Sequence, residues 1–330
     1  ANFNAESALG VVVDPATGAV LAMASVPTCD PNAFGAAPPD ARRNRPVTDM
    51  FEPGSIFKPF IASAAFSDGA VRWGEIFNCH NGAYPCRRGR VLHDSHPYGE
   101  LTAEAVVYKS SNIGMAQMGE RLGNERMYRI VRAFGFGSPT GTGLPGEVAG
   151  QVNPLRQWRQ DSTWSVPMGQ EVAVTGMQMV MAFSALANDG VLLQPRLVHA
   201  VVAPDGQIVA DGSRPIAVGQ VIDPQVARRF VQEVLGKVPT DGTGRNLAAL
   251  DGWTSFGKTG TAQIAPYSSG QFTASYIGGA LLNEPRLVCL ISVRKPDKSI
   301  GYYGGSVAGP PVKSVLERSL AYLGVPRDCP

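Results

Sequence analysis

No stretch of this sequence approaches the roughly 18 consecutive apolar residues that a membrane-spanning helix requires. The chain also lacks an initiator methionine: it opens at Ala1 with no signal-peptide pattern, and so reads as a mature or trimmed piece. An excess of either charge is missing too. Lys and Arg total 29 against 27 Asp and Glu, and the net +2 gives no broad basic field to neutralise phosphates, which argues against nucleic acid as a partner. Cysteine is scarce. Five residues, an odd number without repeated spacing, define no disulfide framework and leave the redox compartment open. Internal repeats, low-complexity tracts and charge runs are absent, so no repeat architecture is expected. What is present is apolar residue, 44% of 330, enough to bury a large core without disulfides.

Leu9 to Val13 and Val20 to Ser25 are β-rich runs around Asp14-Pro15-Ala16-Thr17-Gly18, the composition of a tight antiparallel connection. Thr28 to Pro46 is rich in Pro, Asn, Asp and Arg and reads as a long surface loop. It leads to an apolar-periodic run, Phe57 to Phe66, whose helix begins just after Pro53-Gly54. Residues 111–134 and 175–189 carry helical spacing, and Asn188-Asp189-Gly190 is a stop signal. Thr254 to Ile264, Phe272 to Leu282 and Arg286 to Arg294 read as strands, followed by a helix over roughly residues 311–323. Strands at both ends of the chain with helices between them predict one antiparallel sheet completed by the two termini, with an all-helical portion inserted.

Three Ser-x-x-Lys pairs occur: Ser55 with Lys58, Ser255 with Lys258, and Ser292 with Lys295. Residues i and i+3 share a face of a helix but lie on opposite faces of a strand, and only Ser55 opens a helical run. A helix N-terminus offers Ser55 unpaired N–H groups and the positive end of the dipole, which favour an alkoxide and a developing oxyanion. For Lys58 to act as a base it must be neutral, so burial and neighbouring cations must lower its pKa from about 10.4. Pro59 has no N–H for the Ser55 carbonyl, which puts the nucleophile on an irregular turn. The plainer alternative is a capping serine beside a solvated lysine. Ser110-Ser111-Asn112, at the head of the helical run Ile113 to Leu122, likewise has simple N-capping as its alternative.

Gly252 to Thr259 reads GWTSFGKT, a match to the phosphate-loop pattern, and Gly141 to Gly146 fits GxGxxG. A phosphate loop joins a buried strand to a helix, but Asn246 to Leu250 is a poor strand and Gly260-Thr261 a poor helix start. That context disfavours a P-loop NTPase, and Pro145 stands where the separate GxGxxG motif needs its helix. As an edge strand, Lys258-Thr259-Gly260-Thr261 puts Lys258 and Gly260 on one side and both threonines on the other. Gly260, without a side chain, lets another backbone lie close, which suits a peptide substrate added as a strand.

The ordered set SxxK, SxN and KTG is the signature of class A β-lactamases and penicillin-binding proteins. The likeness extends to Arg43-Asn44-Arg45, Phe51 to Ser55, Lys109 to Gly114, Gly257 to Gln263 and Tyr302-Tyr303-Gly304-Gly305. Along essentially its whole length the chain resembles the transpeptidase domain of a class B penicillin-binding protein. The resemblance implies an α/β (α+β) fold, a five-stranded antiparallel sheet flanked by helices, with a sheet subdomain at about 1–65 and 238–330 and a helical subdomain at about 66–237. It implies attack by Ser55 on the penultimate D-Ala carbonyl of a stem peptide ending in D-Ala-D-Ala, with Lys58 as base and Ser110 relaying a proton to the leaving amine. Asn112 would hold the acyl amide and Lys258 keep the field positive. Thr259, Gly260, Thr261 and Gln170 would line the substrate site, and the N–H groups of Ser55 and Thr261 would form the oxyanion hole. No cofactor and no metal is implied. The partners implied are donor and acceptor stem peptides, β-lactams, and a membrane glycan polymerase with other division or elongation proteins. The last are met through an N-terminal anchor and pedestal absent from this chain, with the domain outside the bacterial inner membrane.

Gln170 stands where division-type members often have an aromatic, whereas Tyr302 to Gly305 resembles the division type, so septum or side wall stays open. A DD-carboxypeptidase or a β-lactam-sensing receptor domain stays open as well. A β-lactamase is disfavoured for want of an ExxLN segment. Cys79, His80, Cys86, His93, Asp94 and His96 fall within 18 residues, which admits a zinc site, a Cys79–Cys86 disulfide or free thiols in a surface loop. Cys289 reads as core.

Overall fold

A computed structural model of the chain describes residues 2–86 and 89–329. Its main elements are β1 (Ser7–Val13), β2 (Val20–Val26), α1 (Lys58–Ser67), α2 (Ala103–Tyr108) and α3 (Asn112–Ala133), then α4 (Gly176–Leu186), β3 (Phe256–Gln263), β4 (Phe272–Ala280), β5 (Leu287–Arg294) and α5 (Gly304–Tyr322). The Asp14 carboxylate accepts from Ala16 N (2.9 Å) and Thr17 Oγ1 (2.8 Å), which closes the β1–β2 turn predicted there. All five long strands form one antiparallel sheet in the order β3-β4-β5-β1-β2, so the N-terminal hairpin completes a sheet begun by the C-terminal strands.

Alternation along these strands separates two apolar faces. Leu9, Val11, Val13, Val288, Leu290, Ile277 and Phe256 face the larger core with α1 and α4. Val12, Cys289, Leu287, Tyr276 and Ala280 face α5 through Ala308, Val312, Leu316 and Leu320. Each fully buried Val, Leu or Phe contributes about 1.5–3 kcal/mol, so the sheet is stabilised from both sides. Helix α4 is buried along its whole length and starts with a capping box: Thr175 accepts from Gln178 N and Gln178 Oε1 from Thr175 N. Cys289 lies in this core, and burial pushes its thiol up to about 12.

Three expectations are corrected. The inserted portion, expected to be all-helical, also carries five short two-stranded ladders between residues 76 and 220. The Thr28 to Pro46 loop contains short helical turns at Pro31–Ala36 and Pro39–Arg42 and runs into another at Arg45–Thr48, each with proline in its first positions, where its missing N–H costs nothing. The last helix starts at Gly304, not near 311. Pro310 and Pro311 suit a first turn but stand inside it, because proline's fixed φ is helical and the preceding turn is held against β4. Among the described residues no helix is long and apolar enough to cross a membrane.

Candidate active site

The Ser55 turn is built by two residues without ordinary backbone freedom. Gly54 has φ +55°, and Pro59 has no N–H for the Ser55 carbonyl. That carbonyl instead accepts from Lys58 N, which tightens Gly54–Phe57 into a 3-10 turn ahead of α1. The predicted irregular turn is therefore present. Ser55 N–H sits in its first turn, where helical geometry provides no acceptor. Gly169, at φ +78°, lies so close that a Cβ there would come within 2.2 Å of Gly54 O, and Gly54 N donates to Gly169 O (3.2 Å). This contact sets Gln170 at the rim of the cleft that Ser55 lines.

Ser110 closes α2 as a left-handed C-terminal residue, φ +63°. Ser110 N donates to Val107 O and Ser111 N to Val106 O, the paired bonds that usually require glycine at this position. The strain turns the Ser110 side chain between two lysines. Lys58 Nζ donates to Ser110 O (2.6 Å), Ser110 Oγ (3.2 Å) and Asn112 Oδ1 (2.7 Å). From β3, Lys258 Nζ donates to the same Ser110 Oγ (2.9 Å) and to Thr259 O (3.1 Å). Both lysines are 0% exposed. Burial pushes Lys58 down to about 7, opposed by the charge of Asp94. Burial and then the neighbouring Lys58 hold Lys258 well below the usual lysine range. Held between the two amines, the Ser110 hydroxyl can relay a proton to or from Lys58, whose basicity burial brings near neutral.

β3 is the edge strand of the sheet, as its sequence predicted, and the GWTSFGKT match therefore runs into a strand and not from a strand into a helix. The GxGxxG segment lies outside any helix or strand. Of the other two Ser-x-x-Lys pairs, Ser292 bonds Ser275 inside the sheet and Lys295 pairs with Glu6, while Ser255 only precedes β3. Thr259 and Thr261 point to the α5 side, where Gly304 N donates to Thr261 Oγ1 (2.9 Å). Another backbone does lie close to Gly260: a Cβ there would meet Ile56 Cγ2 at 2.9 Å and Pro53 O at 3.2 Å. Its bareness admits the Ser55 turn against one face of β3.

These elements enclose a cleft of about 870 Å³ lined by Ser55, Ser110, Asn112, Gln170, Thr259 and Thr261, a volume suited to a small organic ligand. Lys58, Lys258 and Gly260 lie beneath it. One wall is aromatic: the Tyr302 ring lies 4.7 Å from Phe272 and 4.4 Å from Tyr303. Thr243, to which the sequence alone gives no role, also lines the cleft, as does His96, which the sequence places only in the Cys/His cluster. Gly-Thr-Gly at 242–244 is the one signal that Thr243 carried.

The sequence admits Asp94 as one of several zinc ligands, and in the structure it caps a helix. Its carboxylate accepts from Ser111 Oγ (2.6 Å), Asn112 N and Ile113 N (3.1 Å), so it sits on the positive end of α3. Ser111 in turn caps Gly114 N, and Asn112 Nδ2 donates to His93 O (2.9 Å), which fixes Asn112 Oδ1 toward Lys58. The capping alternative for this motif is thus real for Ser111, while Ser110 and Asn112 turn to the lysines. Among the described residues no three His, Cys, Asp or Glu side chains gather to hold a metal. Cys79 and Cys86 are free thiols and not a disulfide, and Cys79 is buried beside Ser111.

Residues 8–317 match the family model described as the penicillin binding protein transpeptidase domain. The probable peptidoglycan D,D-transpeptidase PenA of Neisseria gonorrhoeae is 34% identical over 319 residues, 96% of this chain and 52% of the relative. Penicillin-binding protein PbpB of Mycobacterium tuberculosis is 36% identical over 319 residues, 93% of this chain and 46% of its own length. The chain thus spans about half the length of the curated relatives it matches. Among solved structures, penicillin binding protein 3 of Mycobacterium tuberculosis complexed with aztreonam superposes with a TM-score of 0.89 at 34% identity, covering 99% of this chain and 75% of that one. The transpeptidase domain of Burkholderia pseudomallei penicillin-binding protein 3 gives 0.86 at 30% identity, covering 99% and 92%.

Proposed function

Since the chain belongs to the family of penicillin-binding protein transpeptidase domains, we propose that it cross-links peptidoglycan stem peptides through a serine acyl-enzyme and is acylated by β-lactams. The observation that carries this reading is the pair of buried lysines converging on Ser110 Oγ beneath the cleft that Ser55 lines.

Ser55 Oγ attacks the carbonyl of the penultimate D-Ala while neutral Lys58 accepts its proton. The oxyanion is held by the N–H groups of Ser55 and Thr261, each such donor being worth roughly 3 kcal/mol in comparable acyl-transfer sites. As the tetrahedral intermediate collapses, the C–N bond breaks and Ser110, held by the Lys258 amine, passes the proton from Lys58 to the departing D-Ala amine. Asn112 and Gln170 hold the acyl chain, and the Thr259 and Thr261 hydroxyls receive the terminal carboxylate. An acceptor amine then attacks the ester, gives up its proton through the same groups, and restores Ser55. A β-lactam enters at the first step as a substrate mimic, and its ring-opened acyl group stays on Ser55.

We assign Ser55 and the KTG strand to a sheet subdomain, residues 1–65 and 238–330, and the SxN motif to the inserted one, so that the cleft lies at their seam. Peptidoglycan as substrate puts the domain on the extracytoplasmic side of the inner membrane, where a membrane glycan polymerase is the partner of choice. The test is incubation with stem peptides ending in D-Ala-D-Ala and an acceptor amine. Cross-linked dimer with release of D-Ala is expected. Shortened monomer alone would instead mark a carboxypeptidase, and acylation without turnover a sensing domain.

A further inference from the structure

Thr243 lies in a turn that bridges two of the three motifs. Asp241 N and Gly242 N both donate to Lys237 O (2.8 Å), Lys109 Nζ to Asp241 O (2.6 Å), and Thr243 N to Tyr108 O (3.3 Å). A Cβ on Gly242 would come within 2.4 Å of Tyr108 O, so the loop presses on the end of α2 just before Ser110. From there the Thr243 side chain reaches across to β3, where its Oγ1 lies 2.5 Å from Thr259 Oγ1.

A hydroxyl has one proton and two lone pairs. An anion in the cleft accepts and never donates, so Thr259 must point its own proton at it. The proton between the two threonines must then come from Thr243. The opposite polarity would aim Thr259 lone pairs at the anion. Thr261 needs no such help, because Gly304 N already donates to its oxygen and leaves its proton free. A chain from Thr243 to Thr259 to an anion strengthens each bond in it by polarisation.

We propose that Thr243 is a positioning residue for carboxylate recognition: it donates to Thr259 Oγ1 and so commits the Thr259 proton to the ligand's carboxylate. This rests on the reading of Thr259 and Thr261 as the seat of that carboxylate. It predicts that Thr243 acts on ligand charge and not on the chemistry at Ser55, since no hydrogen bond joins it to Lys58 or Ser110 among the described residues.

The test compares the second-order rate of acylation by benzylpenicillin with that by its methyl ester, followed by intact mass. Thr243→Val should slow the acid by about tenfold, the scale of one hydrogen bond to a charged group, and change the ester by less than about twofold. Thr243→Ser, which keeps the hydroxyl, should restore the acid rate. Equal losses on acid and ester, or no loss on either, overturn the proposal. Should Thr243→Val not fold, as judged by melting, Thr243→Ala is compared in the same two arms. A wild-type chain that takes up neither ligand overturns the function reading itself, and this role with it. A wild type that is acylated while the variants fail to discriminate acid from ester overturns the role of Thr243 alone.

Discussion

Replacing Asp94 by Asn separates two effects that the wild-type carboxylate combines. Oδ2 accepts from Ser111 Oγ and Oδ1 from the N–H groups of Asn112 and Ile113, at the N-terminus of α3. Asparagine keeps one acceptor oxygen and loses the charge. One charge-assisted bond is worth about 1.5–3 kcal/mol and the dipole interaction about 0.3–1 kcal/mol. Solvent reaches this half-buried carboxylate, so the lower end applies, about 2 kcal/mol and a fall of roughly 3 °C in Tm. The second effect is electrostatic. Asp94 raises the pKa of Lys58 against the burial that lowers it to about 7. Without that negative charge the ammonium is less favoured, neutral Lys58 appears at lower pH, and the limb of the acylation rate moves acidward. Thermal melts and acylation by a fluorescent penicillin, followed across pH for wild type and Asp94→Asn, check both. A limb that moves to higher pH, or an unchanged Tm, would refute the role assigned to Asp94.

Acylation of the wild type should rise with pH around a single midpoint near 7, because below it Lys58 is protonated and cannot accept the Ser55 proton. A flat profile of rate against pH would exclude Lys58 as the base. Ser110→Gly and Ser110→Ala both remove the hydroxyl, but glycine tolerates φ +63° and alanine does not. The Gly variant should therefore be the more stable by about 1 kcal/mol in denaturant melts while both lose D-Ala release. Gly169→Ala combines φ +78° with a Cβ driven against Gly54 O. It should destabilise by at least about 2 kcal/mol and depress labelling of Ser55, both read on one melted and labelled sample.

The sequence made the nucleophile legible because its signals were local. Only Ser55 stands at a helix start, and the 3-10 turn that carries it follows from Pro59 one residue past the lysine. The strand identity of Lys258 to Thr261 was equally readable, since Gly260-Thr261 could not start a helix. Asp94 was visible without its role: a carboxylate among Cys and His admits a metal ligand until α3 is seen to begin upon it. Gly260 and Thr243 depend on contacts across 204 and 16 residues, with Ile56 and Thr259, which no spacing rule reaches. The early start of α5 was hidden because two prolines mimic a helix beginning.

Peptide-mapped mass spectrometry of the chain after brief exposure to a penicillin tests the central claim most directly. A single adduct with the full mass of the drug, on the peptide containing Ser55 and absent in Ser55→Ala, is predicted. No adduct on a folded wild-type chain, or an adduct that persists in Ser55→Ala, would contradict it.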